Sequence, residues 1–239
     1  MTGIGDWLAA FPLQPATEAV EALRQGWAEL AERPRPDFNP ATKETALTKR
    51  LKIYVENHVA RERGLFGIWA AEDIIGEFDP ATGVLVEERR TDIVYGWNSD
   101  VHSMKLVFEF KRLGRQKKHR DHYLREKGLG RFVTGIYSRG QAVAAMVGVL
   151  LDPQDEVVPP IRKALGDAEL ATLLRLKPAQ TGEAYCQPSS LFASADFDTE
   201  HDRDPALAAT HGTIRVSHFF FAFGYPTSTA KSKAPAPIS

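Results

Sequence analysis

Apolar positions recur at helical spacing over residues 16 to 32, where Val20, Leu23, Trp27 and Leu30 fall on one side. Pro34 and Pro36 end that helix, and Asp37-Phe38-Asn39-Pro40 has the turn chemistry of a linker. A second helix is predicted over residues 41 to 63, with Leu47, Leu51, Val55 and Val59 along one side. Residues 69 to 78 fit a strand with mixed periodicity. Asp79-Pro80-Ala81-Thr82-Gly83 then reads as a hairpin turn into a long strand over 84 to 97. Asn98-Ser99-Asp100 turns the chain again, and residues 105 to 112 return as a strand. A polar helix is predicted over 116 to 127, stopped by Gly128 and Gly130. Two strands, 132 to 137 and 141 to 151, follow around Ser138-Arg139-Gly140; the second is almost wholly small and apolar, as a strand buried on both faces would be. A helix over 160 to 176, a strand over 213 to 223 and a disordered tail from Pro226 complete the pattern. The fold class is α/β, a mixed central sheet flanked by helices.

Composition changes this picture little. The 239 residues are 43% hydrophobic and 26% charged, enough for a full core and ordinary for a globular chain. A single cysteine, Cys186, rules out an internal disulfide and fits a reducing cytosol. The first residues lack the basic and apolar regions of a signal peptide, and no stretch is long enough to span a bilayer, so a cytoplasmic protein with no membrane partner is expected.

Charge changes it more. The net charge of -1 averages over uneven halves. Residues 105 to 139 hold eleven Lys or Arg against three acids, a local balance of +8, while residues 152 to 204 hold eleven acids against five Lys or Arg, a balance of -6. Local field decides where a phosphate backbone docks. The basic block begins on the strand over 105 to 112.

That strand also carries chemistry. Lys105, Val107, Glu109 and Lys111 share one face and Leu106, Phe108 and Phe110 the other, because side chains alternate with period two. Glu109 and Lys111 thus point the same way from an otherwise apolar strand. Asp92, in Arg90-Thr91-Asp92-Ile93, lies on the preceding strand, opposite in face to Ile93 and Tyr95. Two carboxylates at the end of a hairpin can hold a hard divalent cation, and an ammonium beside them can orient or deprotonate a water. This is equipment for cutting a phosphodiester.

The order helix, three-stranded meander, helix, strand, with acids at these places, resembles the core of the PD-(D/E)XK nuclease superfamily over roughly residues 41 to 151. Thr91-Asp92 stands at the family's Pro-Asp position and Glu109-Phe110-Lys111 at its (Asp/Glu)-x-Lys position; Thr91 in place of proline leaves the chemistry intact. The resemblance implies a restriction-endonuclease-like core with an N-terminal helical extension over 1–40, a C-terminal part packed on the core over 152–225, and the tail over 226–239. It implies that Asp92, Glu109 and the carbonyl of Phe110 bind Mg²⁺, with Mn²⁺ as a substitute, and that Lys111 positions the attacking water or stabilises charge at the phosphate. The family's helix acid is matched by Glu44, with Glu56 the runner-up on the same helix. Arg112, Arg115, Lys117, Lys118, Arg120 and Tyr123 are the candidates for touching nucleic acid, the last two sharing a helix face.

The expected function is a Mg²⁺-dependent endonuclease acting on DNA, similar to prokaryotic genome-defence or restriction components that are gated by a homo-oligomer or a regulatory partner. An RNA-cleaving enzyme on the same core and a non-catalytic subunit that binds nucleic acid or a partner are the alternatives. A second polar cluster, Asp196, Asp198, Glu200, His201, Asp202 and Asp204, with His211 and His218 beyond it, matches neither zinc nor EF-hand spacing; a cap or salt-bridged loop joined to Arg203 is expected there.

Overall fold

The computed structural model describes residues 11–227 apart from 80, 101, 102, 136, 207, 210 and 211, together with the backbone but not the side chains of 75–78 and 84–89. The architecture is α/β. A seven-stranded mixed sheet runs in the order β1 (Ile68–Ala71), β4 (Ile93–Asn98), β5 (Ser103–Leu113), β6 (Val143–Leu150), β9 (Thr213–Phe221), β8 (Phe197–Asp202) and β7 (Leu176–Lys177). Strands β5, β6 and β9 are parallel, and the outer pairings are antiparallel. Every residue of β6 is buried, as expected for a strand with helices over both faces. Residues 152–225 supply three of the seven strands, so one sheet crosses the boundary expected at residue 151.

One face is covered by α1 (Leu13–Ala31) and α2 (Glu44–Tyr54), the latter continuing through a π-turn (Val55–Val59) and a last turn (Ala60–Glu62). Leu47, Leu51, Val55 and Val59 are all fully buried. Spacing by four overshoots a 3.6-residue turn by about 40° at each step, and the wider π-turn winds the stripe back toward the sheet. Gly26 lets the two helices touch: a Cβ there would meet Val55 Cγ2 at 2.5 Å. Trp27 fixes α1 to the sheet end, donating to the Ala222 carbonyl at 2.7 Å and packing on Phe38, Phe221 and Phe223.

The opposite face carries α3 (Lys117–Leu124), α4 (Gly130–Val133), α5 (Gln154–Leu165) and α6 (Ala168–Leu173). Among the described residues no helix is long and apolar enough to cross a membrane.

Four elements differ from the sequence pattern. The strand expected over 69 to 78 is split at Glu72-Asp73 into β1, in the main sheet, and β2 (Ile74–Asp79), outside it. The long strand over 84 to 97 is broken at Thr91-Asp92. Its first half, β3 (Val84–Arg90), pairs with β2 (Ile74–Asp79) as a separate ribbon, and only β4 joins the main sheet. Glu72 takes φ 52° to turn the chain out, and the Thr91 amide donates to the Asp73 carbonyl at 3.1 Å to close the neck of the ribbon. Among the described residues of 132 to 137 there is no strand, and Phe132 and Val133 belong to α4. Arg203, buried, donates to the carbonyls of Phe132, Tyr137 and Ser138 and holds the chain in its turn after α4. Finally, the helix expected over 160 to 176 begins at Gln154 and is cut by Gly166, after which the Asp167 carboxylate caps α6 by accepting from the Leu170 amide at 3.0 Å. Pro159 and Pro160 lie inside α5, where burial of Val157, Val158, Ile161 and Leu165 outweighs the missing amides.

Candidate active site

The broken strand is what creates the site. Asp92 is the residue before β4, and β4 and β5 pair with Ile93 opposite Phe108, so Asp92 sits beside Glu109 where the β4–β5 pairing stops. Its Oδ2 accepts the Phe110 amide at 2.8 Å. From the helical layer comes Glu44, first residue of α2, whose Oε2 accepts the Arg112 amide at 2.8 Å. The helix start is thus tied to the last residues of β5. Lys111 completes the group: its Nζ lies 2.8 Å from Glu109, 2.9 Å from Glu44 and 4.0 Å from Asp92. Residues separated by more than sixty positions meet around one ammonium.

The four groups expected to act together are therefore neighbours. Glu56 is elsewhere, paired with Lys52 at 2.7 Å, roughly 18 Å further along the helix. The Phe110 carbonyl, expected as a metal ligand, accepts from the Lys111 ammonium at 2.6 Å.

Burial sets the electrostatics. Glu109 is 1% exposed; its Oε1 accepts from Lys111 and, at 3.2 Å, from Arg131, while its Oε2 is buried with no hydrogen-bond partner. Desolvation, then the nearby Asp92 charge, push the Glu109 carboxyl up to about 8. Desolvation also lifts Asp92, to about 6, against the pull of Lys111. For Lys111 burial acts downward, but Glu109, Asp92 and Glu44 overcome it and hold the proton far more tightly than usual. Lys111 is an ammonium here and not a base that could deprotonate water.

Comparison with protein-family models, with curated proteins and with solved structures found no match.

Among the described residues no group of three or more His, Cys, Asp or Glu is disposed to hold a metal ion, and the Lys111 ammonium lies within 4.0 Å of all three acids. The donor set nevertheless fits a hard cation. A dehydrated carboxylate oxygen without a partner, on Glu109, lies next to a second largely buried carboxyl, on Asp92, and burial makes both hold their protons to higher pH than an ordinary carboxyl, Glu109 most of all.

The basic segment is less uniform than its sequence. Arg112 turns inward, its guanidinium donating to the Pro40 carbonyl. Arg115 pairs with Glu156 and, at 3.5 Å, with Asp152, and Lys117 pairs with Asp121 at 2.7 Å. Lys118 is exposed and Arg120 half-buried. Tyr123, expected at the nucleic-acid surface, is instead fully buried, its hydroxyl 2.8 Å from His218 Nδ1 and its ring stacked near Phe220, so it belongs to the core. Residues three apart differ by about 60° around a helix, enough to send Tyr123 under α3 while Arg120 stays at the surface.

The second polar cluster is a strand, not a loop. Asp196 pairs with Arg162 and Glu200 with Arg215, each at 2.6 Å. Buried Asp198 accepts from Ser189, Ser190 and Ser217. His218 and His201 are linked through Thr199 Oγ1, at 2.9 and 2.8 Å, in an internal polar chain. Arg203 holds carbonyls, not these acids, and His211 lies outside the described residues.

Arg131 and Tyr137 were missed from the sequence. Reading 132 to 137 as a strand hid that α4 delivers Arg131 to Glu109. The glycines at 128 and 130 were the available signal, since they let the chain turn sharply back toward β5.

Proposed function

We propose that this chain is a Mg²⁺-dependent nuclease that hydrolyses phosphodiester bonds in DNA, with a core of PD-(D/E)XK type. The observation that carries this reading is the meeting of Glu44, Asp92 and Glu109 around Lys111 at the end of β5. Asp92 and Glu109 would hold the metal, with the Phe110 carbonyl beside them.

Magnesium, when bound, supplies the positive charge that lets a hydroxide approach a phosphodiester and that offsets charge on the pentavalent transition state. The remaining work falls to the chain. Lys111, kept protonated by its neighbours, donates hydrogen bonds to the attacking water or to a phosphate oxygen and stabilises the charge that develops there. Glu44 holds Lys111 in place and, through the Arg112 amide, fixes the end of β5. Glu109, ionised once a cation offsets its burial, would help hold that cation, and its contact with Lys111 keeps the ammonium beside it.

The test is direct. Purified protein is expected to nick or linearise plasmid DNA with Mg²⁺ and to stop when a chelator is added. Glu109→Ala and Lys111→Ala are each expected to lower the rate by at least about 100-fold, the usual cost of removing one group that stabilises a transition state. Variants that cut as fast as the parent protein contradict the assignment. Parallel digestion of matched RNA decides the sugar, and salt-dependent DNA binding without turnover under any metal would mark a non-catalytic subunit instead.

A further inference from the structure

The candidate site holds a second cation. Arg131 lies on the four-residue helix α4 with Nη1 3.2 Å from Glu109 Oε1 and bonded also to the Tyr137 hydroxyl. Tyr137 donates in turn to the Arg90 carbonyl at 2.6 Å, and its ring centroid lies 5.1 Å from the Arg131 guanidinium carbon. Arg90 ends β3, two residues before Asp92. One tyrosine therefore fixes Arg131 to the segment that carries a candidate metal ligand.

Arg131 is not simply the counter-ion of Glu109. Lys111 already fills that role at 2.8 Å and is nearly enclosed, at 11% exposed, whereas Arg131 is 30% exposed. Its Nη1 makes both of the contacts above; among the described residues, Nε and Nη2 have no partner. A planar guanidinium with one corner clamped and the rest of its fork open to solvent matches two oxygens of a phosphate. Lys111, a compact point charge deeper in the site, cannot make that bidentate contact.

We propose that Arg131 is a further substrate-contacting residue, clamping the non-bridging oxygens of the phosphate that is cut or of its immediate neighbour. The assignment rests on the nuclease reading and gives that site its phosphate anchor. Tyr137 is a positioning residue that acts through Arg131.

Two experiments test it, one without turnover. In chelator, where nothing is cut, the affinity of a short fluorescent DNA duplex is measured against salt by anisotropy. Arg131→Ala is expected to bind about 3- to 10-fold more weakly, and the slope of log affinity on log salt to shrink by about one. In Mg²⁺, Arg131→Ala is expected to lose about 100-fold in cleavage rate on plasmid DNA and to recover part of it when guanidinium chloride is added at millimolar levels. Arg131→Lys keeps a positive charge beside Glu109, and with it the fold, but is expected to stay slow because an ammonium cannot span two oxygens. Unchanged affinity and salt slope for Arg131→Ala overturn the proposal, as does cleavage at the parent rate. If the parent protein cuts nothing, the nuclease reading fails, and the metal-free binding arm still decides whether Arg131 grips phosphate.

Discussion

Glu109 is the residue on which the site depends most. It lies where water cannot solvate it, its Oε2 unpartnered, and two cations offset only part of the cost. A carboxyl raised to about 8 favours the folded state while it is protonated, fully so below its ordinary value near 4.5, and that stability is lost as pH climbs toward 8. Without metal, the protein is expected to lose on the order of 2 kcal/mol between pH 6.5 and 8 through this group. Glu109→Gln removes the titration and should flatten that part of the profile in chemical denaturation; parallel profiles for the two proteins would show that Glu109 ionises freely. Mg²⁺ should restore the parent's stability at pH 8 and leave Glu109→Gln unmoved. At this scale the sequence was informative for Asp92, Glu109 and Lys111, because alternation along one strand and a single turn determine where they point. Glu44 could be narrowed only to one of two acids on a helix, since the rotation of α2 over the sheet depends on packing. Arg131 was hidden in a run of like charges, where nothing local separates a buried-site arginine from a solvated one.

Among the elements, periodic ones were legible and interrupted ones were not. The stripes of α1 and α2 and the apolar run of β6 each follow from burial of a continuous face, so their pattern survives any neighbour. The break at Thr91-Asp92 has no such pattern: residues on both sides suit a strand, and what divides them is the backbone bond from Thr91 to Asp73, eighteen positions earlier. Arg203, just past the end of β8, likewise shapes the chain between Phe132 and Ser138 from a distance in sequence. The central layer leaves no room for added volume at Gly148. Gly148 lies opposite Lys111 in the β5–β6 register, and a Cβ there would meet Leu113 at 2.4 Å and Phe220 at 2.8 Å. Gly148→Val is expected to cost about 2–3 kcal/mol through overpacking, read from the urea midpoint, and to disturb the site by shifting the end of β5. A stability within 0.5 kcal/mol of the parent, roughly the scatter of neutral surface changes, would show that the sheet relaxes more easily than its packing indicates.

On the scale of the whole molecule, the site belongs to no single segment. Glu44 comes from a helix on one face, Asp92 from the neck of a ribbon, Glu109 and Lys111 from the sheet, and Arg131 from the opposite layer. The fold class was readable because strand and helix patterns alternate along the chain, and β9 was legible as an apolar run, but the extension of the sheet by β7 and β8 was not, since β8 gains its place only through β9 and β7 only through β8. The inner polar chain from Tyr123 through His218 and Thr199 to His201 reads in sequence as a nucleic-acid contact and a capped or salt-bridged loop, and in space as core satisfaction. Soaking crystals in Mn²⁺ and collecting diffraction at its absorption edge tests the central claim most directly. The expected result is an anomalous peak within ligand distance of Asp92 and Glu109, with the Lys111 ammonium displaced from between the acids. A peak confined to other parts of the surface, with Lys111 still bonded to Glu109, would contradict it.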